Sequence, residues 1–301
     1  MSRDRGAVLI NALVIVLAIS AVAATLLTRS ESARIRISDS QNAHQLALYL
    51  DSAEALVPGL LQEVTDGSAV HLEQAWASDA LVFPIERGSV AVKIVDLQSR
   101  LNVNWLMRDD PFVQDLFATL FTELDLPQSL LREITEFVAP NGPLTVNDYL
   151  SRRPSILPRG GPLLSLDDLR EVVGMTPALF ARLDPYVAAL PNSSRLNLNT
   201  ASKPLRAAAL RPLPPKVQTE FLNRDTPILA LSDLRRRVME VLETEDIDDL
   251  PVSLLTVSSN RFQVELRAEL DGMVQRRKLL FQILPATERP IRRGLRWAVY
   301  D

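Results

Sequence analysis

The N-terminal segment RGAVLINALVIVLAISAVAATLL, residues 5–27, determines how the rest of the chain must be arranged. After Arg5 and Gly6 it continues through largely apolar residues. About 20 such residues in one helix, rising about 1.5 Å per residue, are long enough to cross a bilayer. The sequence therefore predicts a chain that begins in a membrane, and the residues after 27 have to fold outside it.

The position of Gly6 decides what a processing enzyme would leave behind. A secretory signal is cut after its apolar region, which removes that region. A cut after Gly6 would instead leave the helix on a mature chain that starts at Ala7. A short basic leader that ends in glycine directly before an apolar helix resembles the prepilin leader of type IV pilins and type II secretion pseudopilins. An ordinary signal-anchor helix is the alternative that this stretch leaves open.

Asn11 is the fifth residue after Gly6. Pilin-like proteins usually carry glutamate there, and the resemblance implies that this carboxylate pairs with the N-terminal amine of a neighbouring subunit inside the membrane. Asparagine has no charge and cannot form that ion pair. The large minor pseudopilin of the GspK type usually lacks the glutamate, which fits a subunit at a tip with no neighbour above it. A polar residue tolerated near the membrane edge is the alternative.

Length and composition set limits on the class of protein. The 301 residues leave room outside the membrane for two packed units, and the hydrophobic content of 47% excludes a disordered chain. A net charge of −4 gives no chain-wide basic field that would attract nucleic acid. Because the chain has no cysteine, disulfides, thiol catalysis and cysteine-based metal sites are excluded.

Apolar periodicity predicts a body with strands and a helical block inserted between them. Steps of three and four from Ala43 to Val64 continue the membrane helix as an amphipathic stalk, in which Pro58 should cause a kink. Runs rich in valine and isoleucine predict strands at 81–85 and 89–96. The strand signal returns at 254–258, and Asp271-Gly272 predicts a hairpin between 262–270 and 273–284. Capping residues and prolines predict helices between these strands, ending near 124, 138 and 173 and covering about 202–211, 214–223 and 232–243.

Strands on both sides of a helical block indicate one sheet interrupted by an insertion. The predicted fold is α+β: a pilin-like long N-terminal helix packed on an antiparallel sheet, with a large all-helical insertion of helix-hairpin-helix or SAM-like type. We expect the tail to be a flexible basic end, with a small docking strip as the alternative. The predicted divisions are the leader 1–6, the transmembrane helix 7–27, the stalk helix and first strands 28–104, the helical insertion 105–253, the C-terminal strands 254–285 and the basic tail 286–301.

Several strings in one order resemble the GspK-type pseudopilin family. These are EQAWA (73–77), LQSRLNVNWL (97–106), LLSLDDLREVVGMTPALFARLDPYVAALP (163–191), RLNLNTAS (195–202) and SSNRFQVELRAEL (258–270). Each string is modest evidence alone, but together with the leader they span nearly the whole chain. The chain is therefore identified as similar to the minor pseudopilins of the type II secretion system.

The resemblance implies a non-catalytic subunit at the tip of the type II secretion pseudopilus, which starts or caps its assembly for the export of folded proteins across the outer membrane. It implies cleavage after Gly6 by a prepilin peptidase and methylation of Ala7. It also implies a single-pass inner-membrane location with the bulk of the chain in the periplasm. The implied partners are the smaller I-like and J-like minor pseudopilins, the major pseudopilin, the inner-membrane assembly platform and exoprotein cargo.

The family's calcium sites depend on clustered oxygen ligands, since Ca²⁺ takes about 6–8 of them. In the segment EFVAPNGPLTVNDY (136–149) the only candidates are Asn141, Asn147 and Asp148, and the proline and glycine beside them indicate a tight loop. We therefore expect no calcium site and no other cofactor. The acidic group at Glu243, Glu245, Asp246, Asp248 and Asp249 is interpreted as a solvated face.

Two other classes of protein, a nucleic-acid-binding module and an enzyme, are less consistent with the sequence. The strings DLREVVGMTPALF (168–180) and RLNLNTAS also resemble helix-hairpin-helix DNA-binding units, which would make the chain a generic signal-anchored periplasmic protein with a binding module. The hairpin Leu213-Pro214-Pro215 has no glycine and little backbone N–H to offer phosphates, so we expect no nucleic acid to bind. An enzyme is disfavoured because His44 and His71 stand without a nucleophile motif.

Overall fold

The computed structural model describes residues 3–64, 68–78, 81–224, 226–243, 251–283, 290–292 and 297–300. The helices are α1 Arg3–Leu60, α2 Pro111–Glu123, α3 Gln128–Val138, α4 Val146–Leu150, α5 Pro177–Leu183, α6 Lys203–Leu210, α7 Pro215–Leu222 and α8 Leu231–Leu242. The strands are β1 Leu81–Ile85, β2 Gly88–Asp96, β3 Leu101–Asn102, β4 Val187–Ala188, β5 Leu196–Asn197, β6 Leu255–Thr256, β7 Arg261–Leu270, β8 Met273–Ile283, β9 Pro290–Arg292 and β10 Trp297–Tyr300.

Helix α1 is a single helix that is free in its first half and packed in its second. It includes Pro58 and ends two residues later, at Leu60. Every third or fourth residue of its second half is buried against the sheet, because apolar residues at this spacing share one helix face. These buried residues are Leu46, Leu50, Ala53 and Val57, and Leu61 and Val64 continue the packing beyond the helix.

The main sheet is antiparallel, with the strand order β1-β2-β7-β8-β10, and β9 pairs with the other end of β8. Strand β2 pairs with β7 over its whole length, from Gly88 opposite Leu270 to Asp96 opposite Phe262. The body is this sheet together with the packed half of α1 and the segment 68–78. In its core Trp76 lies edge-on to Phe262, with ring centroids 5.2 Å apart.

The helical unit, residues 101–257, is inserted between the adjacent strands β2 and β7 and has its own core. Its buried apolar residues run from Leu101 to Val257, whereas those of the body lie at 46–94 and 262–283. The α+β class with an inserted helical block is confirmed. The unit is larger than the predicted range 105–253, and the predicted strand 254–258 does not join the main sheet. Its backbone pairs as β6 with β5, because Leu254, Leu255 and Val257 are buried in the helical core.

The helical unit contains the same module twice. The string RLNVN at 100–104 corresponds to RLNLN at 195–199, and PLLSLDDLR at 162–170 corresponds to PILALSDLR at 227–235. The first string of each copy forms a two-residue strand in a parallel pair, β3 with β4 and β5 with β6. Burial also repeats: Leu163 and Ile228 are buried, while the next residues, Leu164 and Leu229, are 77% and 68% exposed.

Paired asparagines hold each copy together. Asn102 Oδ1 accepts the backbone N–H of Asn104 at 3.1 Å, and in the second copy Asn197 Oδ1 accepts that of Asn199 at 3.0 Å. The second asparagine of each pair then makes a two-way clasp with the backbone of the other string. Asn104 bonds to Leu163 at 2.7 and 3.0 Å, and Asn199 bonds to Ile228 at 2.8 and 2.9 Å. Asn197 and Asn199 thus form one half of a repeated hydrogen-bond arrangement.

The C-terminal residues extend the sheet, which corrects the prediction that the sheet ends at 285 and is followed by a flexible tail. Strand β9 pairs with Phe281–Ile283 and β10 pairs with Gln275–Lys278 of β8. The outer edge of β8 offers unpaired backbone groups, and the tail satisfies them. The predicted helix that starts after Ser165 is a short 3₁₀ helix, Leu166–Glu171.

Candidate functional site

The N-terminal part of α1 carries the predicted processing residues Gly6 and Ala7 and the position Asn11, which lacks the usual glutamate. Gly6, Ala7 and Asn11 lie in the first turns of α1, and their side chains are outside the part of the chain described in atomic detail. From Leu13 to Leu27 α1 is largely apolar and exposed, and within the described residues α1 is the one helix long and apolar enough to cross a membrane. The hydroxyls of Thr25, Thr28 and Ser32 bond to backbone carbonyls of the same helix, so they are satisfied without water.

The packed half of α1 presents an uncharged face away from the sheet. We call it the assembly face; its members recur at steps of three and four and all are exposed: Ile37, Gln41, His44, Leu48, Ser52, Ala55 and Gly59. No Asp, Glu, Lys or Arg belongs to it. From Leu48 through Ser52 and Ala55 to Gly59 its side chains become smaller with distance from the membrane, and nothing lies within 4 Å of a Cβ added at Gly59. Small residues allow a second helix to approach closely, so this face is shaped for helix packing.

Arg277 fastens α1 to the sheet. Its side chain, 4% exposed, donates from Nη1 to Asp51 Oδ1 at 2.7 Å and to Glu54 Oε2 at 2.8 Å. Closer to the membrane, Gln275 Nε2 donates to the carbonyl of Ala43 at 3.3 Å. Strand β8 therefore runs in the same direction as α1, and the position of the helix on the sheet is fixed by polar groups as well as by apolar packing.

Asp96 joins the body to the helical unit. It lies at the end of β2, 2% exposed, and its carboxylate accepts hydrogen bonds from the hydroxyls of Thr200 and Ser259, each at 2.6 Å. It also accepts the N–H of Gln98 at 2.8 Å and Asn197 Nδ2 at 3.3 Å. Burial raises the pKa of Asp96, and the four hydrogen bonds offset part of that rise. This one buried carboxylate thus accepts hydrogen bonds from a residue just before the first copy, from the second copy and from a residue just before β7.

The calcium candidates lie on the surface of the helical unit. Asn141, Asn147 and Asp148 are all exposed, and the last two lie on the short helix α4. Across the described residues no group of three His, Asp or Glu side chains is placed to hold a metal ion. Of the acidic group, Glu243 is an exposed helix end, and Glu245, Asp246, Asp248 and Asp249 lie outside the described residues.

The histidines lie on different elements. His44 is exposed on the assembly face, and His71 belongs to the segment 68–78, where its backbone N–H bonds to Gln74 Oε1 at 3.1 Å. The residues that sequence reasoning did not identify are Asp96 and the set Asp51, Glu54 and Arg277. Apart from the N–H of Gln98, their partners are more than 100 positions away in the chain, so only the repeated asparagine strings could have pointed to the junction.

Known proteins resemble this chain over most of its length. The family model described as "Type II secretion system (T2SS), protein K" matches residues 99–192, which is the first copy of the module. The type II secretion system protein K of Aeromonas hydrophila is 30% identical over 233 residues, 69% of this chain and 70% of the relative. That of Pectobacterium carotovorum subsp. carotovorum is 25% identical over 304 residues, 93% of each chain.

The fold is also known from a crystal structure. A chain in the GspK-GspI-GspJ complex from the type 2 secretion system of enterotoxigenic Escherichia coli superimposes with a TM-score of 0.66 at 24% identity. The match covers 88% of this chain and all of the other.

Proposed function

Because this chain belongs to the type II secretion system protein K family and is a minor pseudopilin of that system, we propose that it caps the tip of the pseudopilus. The resemblance read from the sequence strings is confirmed by the family relatives. The observation that carries the tip placement is the position of the helical unit, which joins the sheet at the end farthest from the membrane.

That position follows from contacts along α1. Ala43 lies beside Gln275 near the start of β8, whereas the helical unit meets the body at Asp96, near the end of β8. From Thr28 to Leu60 the helix measures about 50 Å at about 1.5 Å per residue. A bulky unit at that height occupies the space in which another subunit would stack above the body.

The assembly face supports packing against other pseudopilins below the tip. The relative of known structure is described in complex with GspI and GspJ, so I-like and J-like minor pseudopilins are the proposed partners, followed by the major pseudopilin and the assembly platform. We also propose exoprotein cargo as a partner of this chain.

For the N-terminus we propose cleavage after Gly6 by prepilin peptidase and methylation of Ala7. The one apolar helix fits a single-pass anchor, and the proposed location is the inner membrane with the helical unit in the periplasm. Asn11, in place of glutamate, fits a subunit that needs no partner above it. The family is a structural component of secretion, and we propose that this member has no catalytic activity and no cofactor.

The tip placement is tested by Asn11→Glu in cells that assemble the pseudopilus. Restoring the carboxylate should leave the protein at the tip, because the helical unit still blocks stacking; the readout is its copy number per filament by quantitative blotting and gold labelling. Incorporation along the filament would show that the missing charge, not the bulk, decides placement.

Mass spectrometry of the native N-terminus tests processing: N-methylated Ala7 is expected, and a retained Met1 would indicate an ordinary signal anchor.

Partner packing is tested on the assembly face with Ala55→Arg. A long charged side chain should prevent a helix from approaching and so abolish co-purification of the smaller minor pseudopilins from detergent extracts. Gln62→Arg, exposed just beyond the end of α1, is the matched control and should co-purify normally. Equal co-purification of both variants would place the partner interface elsewhere.

A further inference from the structure

One connection in the first copy of the module is much longer than the fold requires. Residues 139–164, here called the neck loop, lead from α3 to the exposed Leu164, whereas residues 223–229 make the equivalent connection from α7 to Leu229. Because the second copy closes with so short a link, the extra residues are not needed to complete the module. Long loops of this kind in compact units are usually functional.

The neck loop is held in a fixed shape. At its base the carbonyl of Ala139 accepts the N–H groups of Gly142 and Gly161, both at 2.9 Å. Gly160 has φ +67°, and a Cβ there would lie 2.5 Å from the nitrogen of Gly142, so the two strands of the neck touch backbone to backbone.

The middle of the loop is anchored by Tyr149. This side chain is fully buried with its ring 5.7 Å from that of Phe137, and its hydroxyl accepts the N–H of Val173 at 3.3 Å. Because the loop is fixed at both its neck and its middle, its outer side chains can bind a partner with little further loss of conformational entropy.

Those outer side chains are apolar and basic. Leu144 is 89% exposed, Leu157 74% and Leu164 77%. The loop also carries three arginines against one acid, Asp148, in a chain whose net charge is −4. These arginines, Arg152, Arg153 and Arg159, form no ion pair with the described residues, although Arg152 and Arg159 donate to the backbone carbonyls of Glu171 and Pro162.

We propose that the neck loop is a docking surface for an acidic patch with an apolar centre on a partner protein. Exposed leucines in a preorganised loop mark an interaction site, and the arginines around them, which have no ion pair among the described residues, select an acidic partner. The chain's own bilayer is a poor alternative, since the helical unit stands about 50 Å from the end of the membrane span. The proposal needs this height and not the tip placement, so it does not depend on the proposed function.

The test uses the full chain in nanodiscs of uncharged phosphatidylcholine. The probe is a synthetic peptide of alternating glutamate and leucine, compared with a lysine–leucine peptide of equal length by fluorescence anisotropy. We expect only the acidic peptide to bind, and Arg153→Glu/Arg159→Glu to weaken binding about tenfold or more, since each exposed pair contributes up to about 1 kcal/mol. The matched Arg153→Lys/Arg159→Lys variant should bind nearly normally, as should Leu229→Ser, whereas Leu157→Ser should bind weakly.

The cellular test places a photo-crosslinking residue at Leu157 and, as control, at the equally exposed Leu229. We expect an adduct at Leu157 alone whose partner peptide is rich in Asp and Glu and which the double charge reversal removes. The proposal is overturned if the adduct is a phospholipid or a second copy of this chain, if charge reversal leaves it unchanged, or if neither position gives an adduct. Equal binding of acidic and basic peptides, or recruitment only of vesicles made of equal parts phosphatidylglycerol and phosphatidylcholine, would overturn it as well.

Discussion

Single residues hold the two halves of the body together through charge. Arg277 is almost completely buried but serves two carboxylates, of which Glu54 is 16% exposed and Asp51 55%. Removing the cation takes away the hydrogen bonds that Arg277 donates to both carboxylates. The helix-to-sheet fastening therefore depends on one side chain more than on any other polar group in the described body.

We expect Arg277→Met to destabilise the body by about 2–4 kcal/mol. Breaking a buried pair costs about 3–5 kcal/mol, and the exposure of Asp51 reduces that figure. The control is Lys278→Met on the same strand, whose half-exposed amine is 3.9 Å from Glu265; it should change stability by no more than about 0.5 kcal/mol. Urea unfolding in detergent measures both, and equal effects would mean that Arg277 contributes only packing.

Asp96 makes the stability of the junction depend on pH. Its pKa is raised from the usual 3.8 by burial, so between the unfolded and folded pKa values the folded protein holds more protons than the unfolded one. Its contribution to stability is full below the unfolded pKa and is lost as pH rises through the raised folded pKa.

Asp96→Asn removes that titration. We expect the stability of the variant relative to the natural protein to increase as pH rises through this window. A pH-independent loss of stability is added to this, because the side-chain amide N–H of Asn197 cannot donate to the amide NH₂ of a second asparagine. Urea midpoints from about pH 4 to 9 measure the difference. Parallel curves for the two proteins would show that Asp96 titrates alike when folded and unfolded.

Residues of this kind could not be found from the sequence. Asp96 is the last residue of a strand, as many surface aspartates are, and its hydrogen-bond partners Thr200 and Ser259 are brought to it only by the insertion of the helical unit. The processing residues Gly6 and Ala7, and the position Asn11 that lacks the usual glutamate, are predicted from a local pattern, which requires no tertiary information.

At the scale of elements, local chemistry predicted the boundaries well. The hairpin at Asp271-Gly272 is present with φ of 50° and 81°, as a two-residue turn of this composition requires, and Asp110 caps α2 by accepting the N–H of Phe112 at 3.0 Å. The prediction that 254–258 is a strand of the main sheet was wrong. A short apolar run rich in Leu and Val has the same sequence pattern whether it is a sheet strand or a buried core segment. Which core it enters is a tertiary property.

The neck of the long loop offers a test on one element. Gly160→Ala would push a Cβ into the backbone of Gly142, whereas a Cβ at Gly161 meets open space although its φ is also positive. Both variants pay the cost of a left-handed residue, about 1 kcal/mol, but only Gly160→Ala should open the neck. Hydrogen exchange of the loop amides is expected to rise in that variant alone; the same rise in both would mean that backbone strain and not contact closes the neck.

For the whole molecule, the division into two cores predicts that the body can fold without its insertion. The body core contains no residue between 97 and 261, and Asp96 faces Phe262 directly across the β2–β7 ladder. Replacing 97–261 by an Asn-Gly turn should leave a continuous antiparallel meander that unfolds cooperatively by circular dichroism. An unfolded product would show that the junction hydrogen bonds are required for the sheet.

The pairing of β2 with β7 also has a mechanical consequence. Both chain crossings into the helical unit leave the sheet at the same end, so a pull on that unit would open the ladder one hydrogen bond at a time, as a zipper opens. A push transmits the force through the unit onto the sheet end and along α1, and no bond is peeled. The molecule is therefore built to withstand thrust from below against a load at its head, and it would yield first under tension.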